Sequence, residues 1–382
     1  MLKNKILELA KQGLSTSEIA KKLNCDSRYV RRVKNSNHEN ELIYLRTENQ
    51  RLRAELEKRK QSEALFSKIE EVILEYIPPA YYTEYTPVKR KSSIKETAVL
   101  VISDMHADQN IKSERVQQFE DYNFNEACKR AQRIVDVTIS HLTENLQGYN
   151  FEKLVVCCLG DLVSGEIHNL NQFSEWQNSI KSAMATGELL SMMLTDLSKY
   201  FKIDFYGVVG NHGRRTKKKS YQSPHNNWDY LVMVYAKKRL ERLKDRIIFY
   251  LPDSYSCGFS IYGWNFIINH GDDIKSWNSI PFYGIERKSR RLIAVNSLKN
   301  KTIHYFIFAH FHTTATLQST TGEVLLNGKW MVTDEFALEK LGDVSEPYQL
   351  LFGVHPKYGI TWRMPIKLRD TSKTCRYKVS EF

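Results

Sequence analysis

Five short polar motifs carry the residues of this chain that could do chemistry: Asp104-Met105-His106, Gly160-Asp161, Gly210-Asn211-His212, Asn269-His270 and His310-Phe311-His312. They supply Asp104, His106, Asp161, Asn211, His212, His270, His310 and His312 in a fixed order. Carboxylate, imidazole and carboxamide donors without a thiolate suit a pair of divalent ions, with manganese first and iron or zinc as alternatives. Two such ions suit the breaking of phosphate esters by a bridging hydroxide. Asn211 adds a neutral oxygen donor, which keeps the site from becoming too anionic.

The surrounding sequence explains how residues so far apart can meet. Each motif follows an apolar run: Val99–Ile102, Leu154–Leu159, Phe205–Val209, Phe266–Ile268 and Tyr305–Ala309. Short continuous runs rich in β-branched and aromatic residues read as strands buried on both faces. Laid side by side, such strands place their ends along one rim of a sheet, where sites of open α/β sheets are built.

In order and spacing these motifs resemble those of the calcineurin-like metallophosphoesterases, a pattern of D-x-H, GD, GNH plus an acid, H and GHxH. The resemblance covers roughly residues 95 to 365. It implies an α/β, two-sheet sandwich flanked by helices. It also implies one metal held by Asp104, His106, Asp161 and His312, and a second held by Asp161, Asn211, His270 and His310, with Asp161 bridging. His212 would stand beside the leaving group, so His212 and Asp161 are the catalytic candidates. Two positions depart from the pattern: Gly213 stands where the acid follows GNH, and Ala309 replaces the glycine before the last HxH. The missing acid leaves His212 without its usual orienting partner, and Asp272 or Asp273, close after His270, could replace it or orient a ligand histidine.

The N-terminus carries a different signal. Residues 1–36 read as a helix-turn-helix. Leu2, Ile6, Leu9 and Ala10 have helical spacing, and Ser15-Thr16-Ser17-Glu18 offers a capping box, with Ser15 or Thr16 as the cap, before Ile19, Ala20 and Leu23. A turn at Asn24-Cys25-Asp26 precedes a basic helix anchored by Val30 and Val33. Arg28, Tyr29, Arg31, Arg32 and Lys34 remain for its other faces and are the candidate DNA contacts. A helical, coiled-coil-like segment follows at 37–78, with Leu42, Leu45, Asn49, Leu52 and Leu56 on one seam. A homodimer through residues 42–56 is one expectation; packing of Ile69, Val72, Ile73 and Ile77 against the chain's own body is the other. Pro78-Pro79 ends the helix. Residues 79–95 read as a linker, 96–366 as the metallophosphoesterase domain and 367–382 as a flexible basic tail.

Charge adds a class of partner. The 382 residues carry a formal net charge of +12, which favours polyanions. Arg214, Arg215, Lys217, Lys218 and Lys219 follow His212 directly, and Arg287, Lys288, Arg290 and Arg291 lie beyond His270. Arg214, Arg215 and Lys217, with His168 in the loop after Asp161, are the candidate substrate contacts. Trp228 and Asp229 open an apolar helix that reads as core, and Asn327-Gly328 reads as a hairpin turn completing the second sheet. Six cysteines lack CxxC spacing, and no apolar run is long enough to span a bilayer. The pattern fits a cytoplasmic protein without a membrane partner. The combined expectation is a metal-dependent phosphodiesterase acting on nucleic acid, chiefly DNA, of the kind found in phage or mobile elements. A phosphatase or phosphodiesterase for a nucleotide, small ester or phosphoprotein is one alternative. A DNA-binding regulatory or assembly protein with a silent catalytic fold is the other.

Overall fold

A computed structural model describes residues 2–379 except 89–93, 168–173, 217–218, 220, 222–223, 276–280, 320–321 and 370; for residues 36–42 and 319 it describes the backbone alone. The chain divides into two compact units, residues 1–67 and 68–382. In the first, helices α1 (Leu2–Lys11), α2 (Thr16–Leu23) and the start of α3 (Ser27–Tyr76) bury Ile6, Ile19, Val30 and Val33 together. The Ser15 side chain caps α2 and Glu18 returns the bond to the Ser15 amide at 2.7 Å. Asn24, in the left-handed conformation at φ 46°, ends α2, and Asp26 accepts from the Arg28 amide at 2.6 Å where α3 begins. The basic helix and the seam that follows it are one element of 50 residues. No glycine or proline occurs between Ser27 and Tyr76, so nothing interrupts the backbone bonds until Pro78.

The second unit contains two sheets. The first has the order β11-β10-β1-β2-β3-β4, built from β1 (Thr97–Ile102), β2 (Lys153–Cys158), β3 (Lys202–Gly207), β4 (Ile247–Tyr250), β10 (Tyr348–His355) and β11 (Gly359–Lys367). Strands β1 to β4 run parallel, and β10 and β11 add an antiparallel edge. The second sheet has the order β5-β6-β7-β9-β8, from β5 (Ser256–Ile261), β6 (Trp264–Asn269), β7 (Tyr305–Phe308), β8 (Ala315–Ser319) and β9 (Gly322–Leu326). The sheets face each other across one apolar layer, in which Val99, Val155 and Phe352 of the first meet Phe259, Phe266 and Ile307 of the second. Helix α7 (Phe282–Ser297) covers the far side of the second sheet through Ile285, Leu292 and Ile293. Helix α5 (Ser179–Ser198) lies against β3, flanked by α4 (Phe124–Ser140) and α6 (Trp228–Arg239). This is the α/β, two-sheet, helix-flanked architecture expected, preceded by a helical N-terminal region. Cys157 and Cys158 are both buried thiols.

Three segments differ from their sequence reading. Asn327-Gly328 is not a hairpin turn. Strands β8 and β9 pair antiparallel up to Ser319 and Gly322, and β10 and β11 belong to the first sheet. Asn327 is wholly buried at the end of β9, where its amide donates to Ser103 Oγ at 2.8 Å and Gln349 Oε1 at 2.9 Å, and its oxygen accepts from the Leu350 amide at 2.9 Å. It therefore fastens the second sheet to the first beside Asp104. The stretch read as a linker is tied down in its described part: the amides of Ala80 and Tyr81 donate to Arg239 and that of Thr86 to Lys199. Its basic cluster Lys89-Arg90-Lys91 lies outside the described residues. The C-terminal stretch read as a flexible tail is also held. Leu368 and Tyr377 are buried, and Arg376 pairs with Asp136 at 2.7 Å and Asp196 at 2.9 Å. The seam residues divide as well: Ile69, Val72, Ile73 and Ile77 line an apolar cavity with Trp228 and Leu231, whereas Leu45, Leu52 and Leu56 are exposed.

Asn327→Ala removes both ends of the inter-sheet fastening. It is expected to cost about 2–3 kcal/mol, because three buried groups lose partners. Urea unfolding followed by tryptophan fluorescence measures this; an unchanged midpoint would contradict the role assigned to Asn327.

Candidate metal centre

All five motifs begin within a few residues of the end of a strand: Asp104 after β1, Asp161 after β2, Asn211 and His212 after β3, His270 after β6 and His310 after β7. The first three strands lie adjacent in one sheet and the last two adjacent in the other, so the ends converge across the sandwich. The turns are sharp. Asp104, His106, Asp161, His310 and His312 all take left-handed backbone conformations, with φ between 40° and 72°. Non-glycine residues seldom do so, and such strain gathers at functional sites. The backbone packs closely to permit it: a Cβ at Gly160 would lie 2.0 Å from the Gly210 nitrogen, and one at Gly210 would lie 2.2 Å from Asp161 Oδ1. The Asp104 amide donates to Gly160, and the His106 amide to Asp161.

The side chains form three clusters: Asp104, His106 and His312; His106, Asp161 and His212; and Asp161, His270 and His310. Within each, one ligand atom per residue lies within 4.8 Å of the others. Asp161 belongs to two of them, the position a bridging carboxylate requires. Asp104, His106, Asp161, Asn211 and His270 are buried, whereas His212, His310 and His312 are partly exposed and form the mouth. His106 Nδ1 is buried without a hydrogen-bond partner, and Asp104 Oδ1 and Asp161 Oδ2, both buried, face only the rings of His312 at 3.4 Å and His270 at 3.0 Å. Buried ligand atoms whose only neighbours are other potential ligands fit a pair of cations.

Electrostatics favour the same reading. His270 Nδ1 donates to the Leu159 carbonyl at 2.7 Å, and its Nε2 faces Asn211 Oδ1 and Asp161 Oδ2, both at 3.0 Å. Burial disfavours charge on this ring, but the Asp161 carboxylate beside it prevails and lifts its pKa to about 10. His106 and His310 go the other way: burial, reinforced by neighbouring histidines, lowers them to about 3 and about 4. Without metal, His270 is therefore the cation that offsets Asp161.

Gly213 has a local explanation. A Cβ there would lie 2.1 Å from Asn227 Oδ1. Asn227 caps α6, accepting from the Asp229 amide at 2.8 Å and donating to the Gly210 carbonyl at 2.9 Å. Asp229, read from sequence as the start of a core helix, is a buried carboxylate that accepts from the amides of Asp161, Leu162 and Gly210 at 2.8–2.9 Å. It joins the GD turn to the GNH turn. Burial, and then the charge of Asp161, lifts its pKa to about 6. The sequence signal was a carboxylate directly after Trp228 at the head of an otherwise apolar helix. Neither Asp272 nor Asp273 takes the place of the absent acid: Asp272 pairs with Arg214 at 3.4 Å and Lys219 at 2.6 Å, and Asp273 pairs with Lys288. His212 instead has Nδ1 3.3 Å from the Ser164 carbonyl, and its amide donates to Asp161 Oδ1 at 2.7 Å.

Other candidates have mixed settings. Arg214 sits beside the site with Asp272, while Arg215 pairs with Glu166 at 3.3 Å and lies over Trp228. Much of the charge of this loop is thus balanced locally. His168, Lys217 and Lys218 lie outside the described residues. Arg28, Tyr29, Arg31 and Arg32 are exposed on the first turns of α3 and Lys34 is partly exposed. Among the described residues, no helix is long and apolar enough to cross a membrane.

A divalent ion entering the His270 cluster must displace the proton that a pKa of about 10 keeps there at neutral pH, so affinity rises with pH and about one proton is released per site loaded. Calorimetric titration of stripped protein with manganese, in buffers of different ionisation enthalpy, measures the release; none would contradict the pairing of His270 with Asp161. Asp229→Asn leaves amides of both turns poorly paired and should weaken metal binding about 10–100-fold. Gly213→Asp, although it restores the usual acid, should lower hydrolysis of a small aryl phosphodiester because Asn227 occupies the space. A more active Gly213→Asp enzyme would contradict this packing account.

Comparison with known proteins accords with the geometry. Residues 97–342 match the family of calcineurin-like phosphoesterases. No curated protein matches. Among solved structures, an archaeal phosphodiesterase is 10% identical and covers 70% of this chain and 99% of its own, with a TM-score of 0.32. Vacuolar protein sorting 29 from Cryptosporidium parvum is 13% identical over 71% and 98%, at 0.32. A hypothetical protein from Pyrococcus horikoshii OT3 is 12% identical over 72% and 89%, at 0.36. These structural scores are low and add no argument of their own. With the family matched over most of the chain and the metal-ligand motifs gathered at the strand ends, the chain belongs to the calcineurin-like phosphoesterases, a family of metal-dependent phosphoester hydrolases.

Proposed function

We propose that this protein is a binuclear phosphodiesterase acting on nucleic acid, with DNA as the substrate and an N-terminal helix-turn-helix as the element that captures it. The observation that carries the hydrolytic part is the convergence of Asp104, His106, Asp161, His270, His310 and His312 in overlapping clusters around one shared carboxylate. Asp104, His106, Asp161 and His312 would hold one ion, and Asp161, Asn211, His270 and His310 the other. The donor set has no thiolate, which favours manganese over softer ions. When bound, the pair would supply an acidified water and charge neutralisation at phosphorus. The chain's own residues do the rest. Asp161 is oriented by the His212 amide, and Asp229 holds the two turns at a fixed separation. His212, with Nδ1 at the Ser164 carbonyl, is assigned protonation of the departing oxygen through Nε2.

The preference for DNA rests on the N-terminal unit. A capped α2, a tight turn and a helix that buries Val30 and Val33 while exposing Arg28, Tyr29, Arg31 and Arg32 supply what major-groove docking uses. His168, Arg214, Arg215 and Lys217 are assigned to the substrate backbone near the metals, and Lys34 to DNA beside Arg31. An incoming phosphate would compete with Asp272 and Glu166 for the two arginines.

Separate substitutions divide the two parts. Asp161→Asn and His212→Asn should abolish hydrolysis of labelled DNA and of a small aryl phosphodiester while DNA affinity stays within a few-fold. Arg31→Ala with Arg32→Ala should weaken DNA binding and flatten its salt dependence, leaving hydrolysis of the small ester intact. Tight DNA binding with no turnover under any divalent metal would overturn the catalytic part in favour of a silent fold. Turnover of the small ester that DNA fails to inhibit would overturn the nucleic-acid part.

A further inference from the structure

The stretch of α3 that precedes its last turns carries an apolar stripe that no described residue of the first unit covers. Leu45, Leu52 and Leu56 are 56%, 55% and 51% exposed. With Asn49 they recur at alternating steps of four and three, the spacing that keeps one seam on one face of a helix. Exposed leucines in register on an otherwise charged helix mark a face that is covered by a partner. The next seam positions, Arg59 and Glu63, pair with each other at 3.0 Å and end the stripe.

The residues flanking the seam select the occupant. With Leu45 and Leu52 at d and Asn49 and Leu56 at a, Glu48 and Glu55 fall at g and Arg53 and Lys60 at e. In a parallel, in-register pair, each g residue meets the e residue five places further along the other helix. Glu48 then meets Arg53 and Glu55 meets Lys60, and symmetry repeats both contacts. An antiparallel pair would set Glu against Glu and Arg against Lys. Asn49 at an a position favours two strands and fixes their register, since any slip buries its amide against leucine. In the single chain Glu48 reaches Arg51 at 3.7 Å and Lys60 reaches Glu57 at 3.3 Å, exposed pairs that a dimer can exchange at little cost.

We propose that residues 45–60 form a parallel two-stranded coiled coil with a second copy of this chain. The inference uses the seam and its charges alone and stands apart from the choice of substrate. The test uses full-length protein in sedimentation equilibrium at about 100 μM, where even a micromolar association is well populated. The expected mass is twice the 44.7 kDa of one chain. Glu48→Lys with Glu55→Lys, and separately Arg53→Glu with Lys60→Glu, should each halve that mass, and an equimolar mixture of the two should restore it. Unchanged helical circular dichroism and unchanged hydrolysis of a small aryl phosphodiester show that each variant is folded, because these residues lie outside the metal centre. A wild-type protein of single-chain mass, variants that still pair alone, or a mixture that stays monomeric would each overturn the proposal.

Discussion

Two carboxylates with almost no access to water, Asp104 and Asp161, set the terms for everything around them. Removing like charges from water is strongly unfavourable unless cations or hydrogen-bond donors are supplied at the same place. Here the donors come from the backbone: the His212 amide to Asp161, and the His310 amide to Asp104 at 3.4 Å. The cation comes from His270 in the metal-free state, whose ring meets Asp161 Oδ2 at 3.0 Å, while Asp104 Oδ1 faces His312 at 3.4 Å. A pocket that gathers more negative charge than its own protein groups satisfy is arranged for positive ions. A metal bound at Asp161 would compete with the proton on His270 for the same carboxylate.

Holding that arrangement requires strained turns, and the rest of the fold resists their relaxation. Five of the ligand-motif residues sit at positive φ. The turns that carry them are locked from behind by Asp229, which collects amides from both the GD and GNH turns, and at the side by Asn327, which fastens the second sheet to the first. Gly160 and Gly210 let those turns approach to distances that no side chain would permit. The apolar layer between the sheets supplies the stiffness, and the locks convert it into fixed ligand positions.

The ligand motifs were legible because each follows a short apolar strand, and strand ends in adjacent register must come together. The helical start of the chain was legible from the capping box at Ser15-Thr16-Ser17-Glu18; that the basic helix and the seam after it form one helix was not read, although no glycine or proline lies between them. What escaped depended on contacts distant in sequence. Gly213 in place of the usual acid follows from Asn227, whose side chain fills the space a Cβ would need. Asp229 read as helix core because its three partners are backbone amides, which leave no trace in the sequence. Asn327-Gly328 has the composition of a hairpin turn, yet a buried asparagine at a strand end satisfies the same pattern. The C-terminal stretch looked free because Asp136 and Asp196, which hold Arg376, come from helices far earlier in the chain.

The central claim, that one shared carboxylate joins two cation positions, is tested most directly by anomalous diffraction from crystals soaked in manganese. The account predicts two peaks about 3.5–4 Å apart, one among Asp104, His106 and His312 and the other among Asn211, His270 and His310, with Asp161 between them. A single peak away from Asp161, or none at saturating manganese, would contradict it.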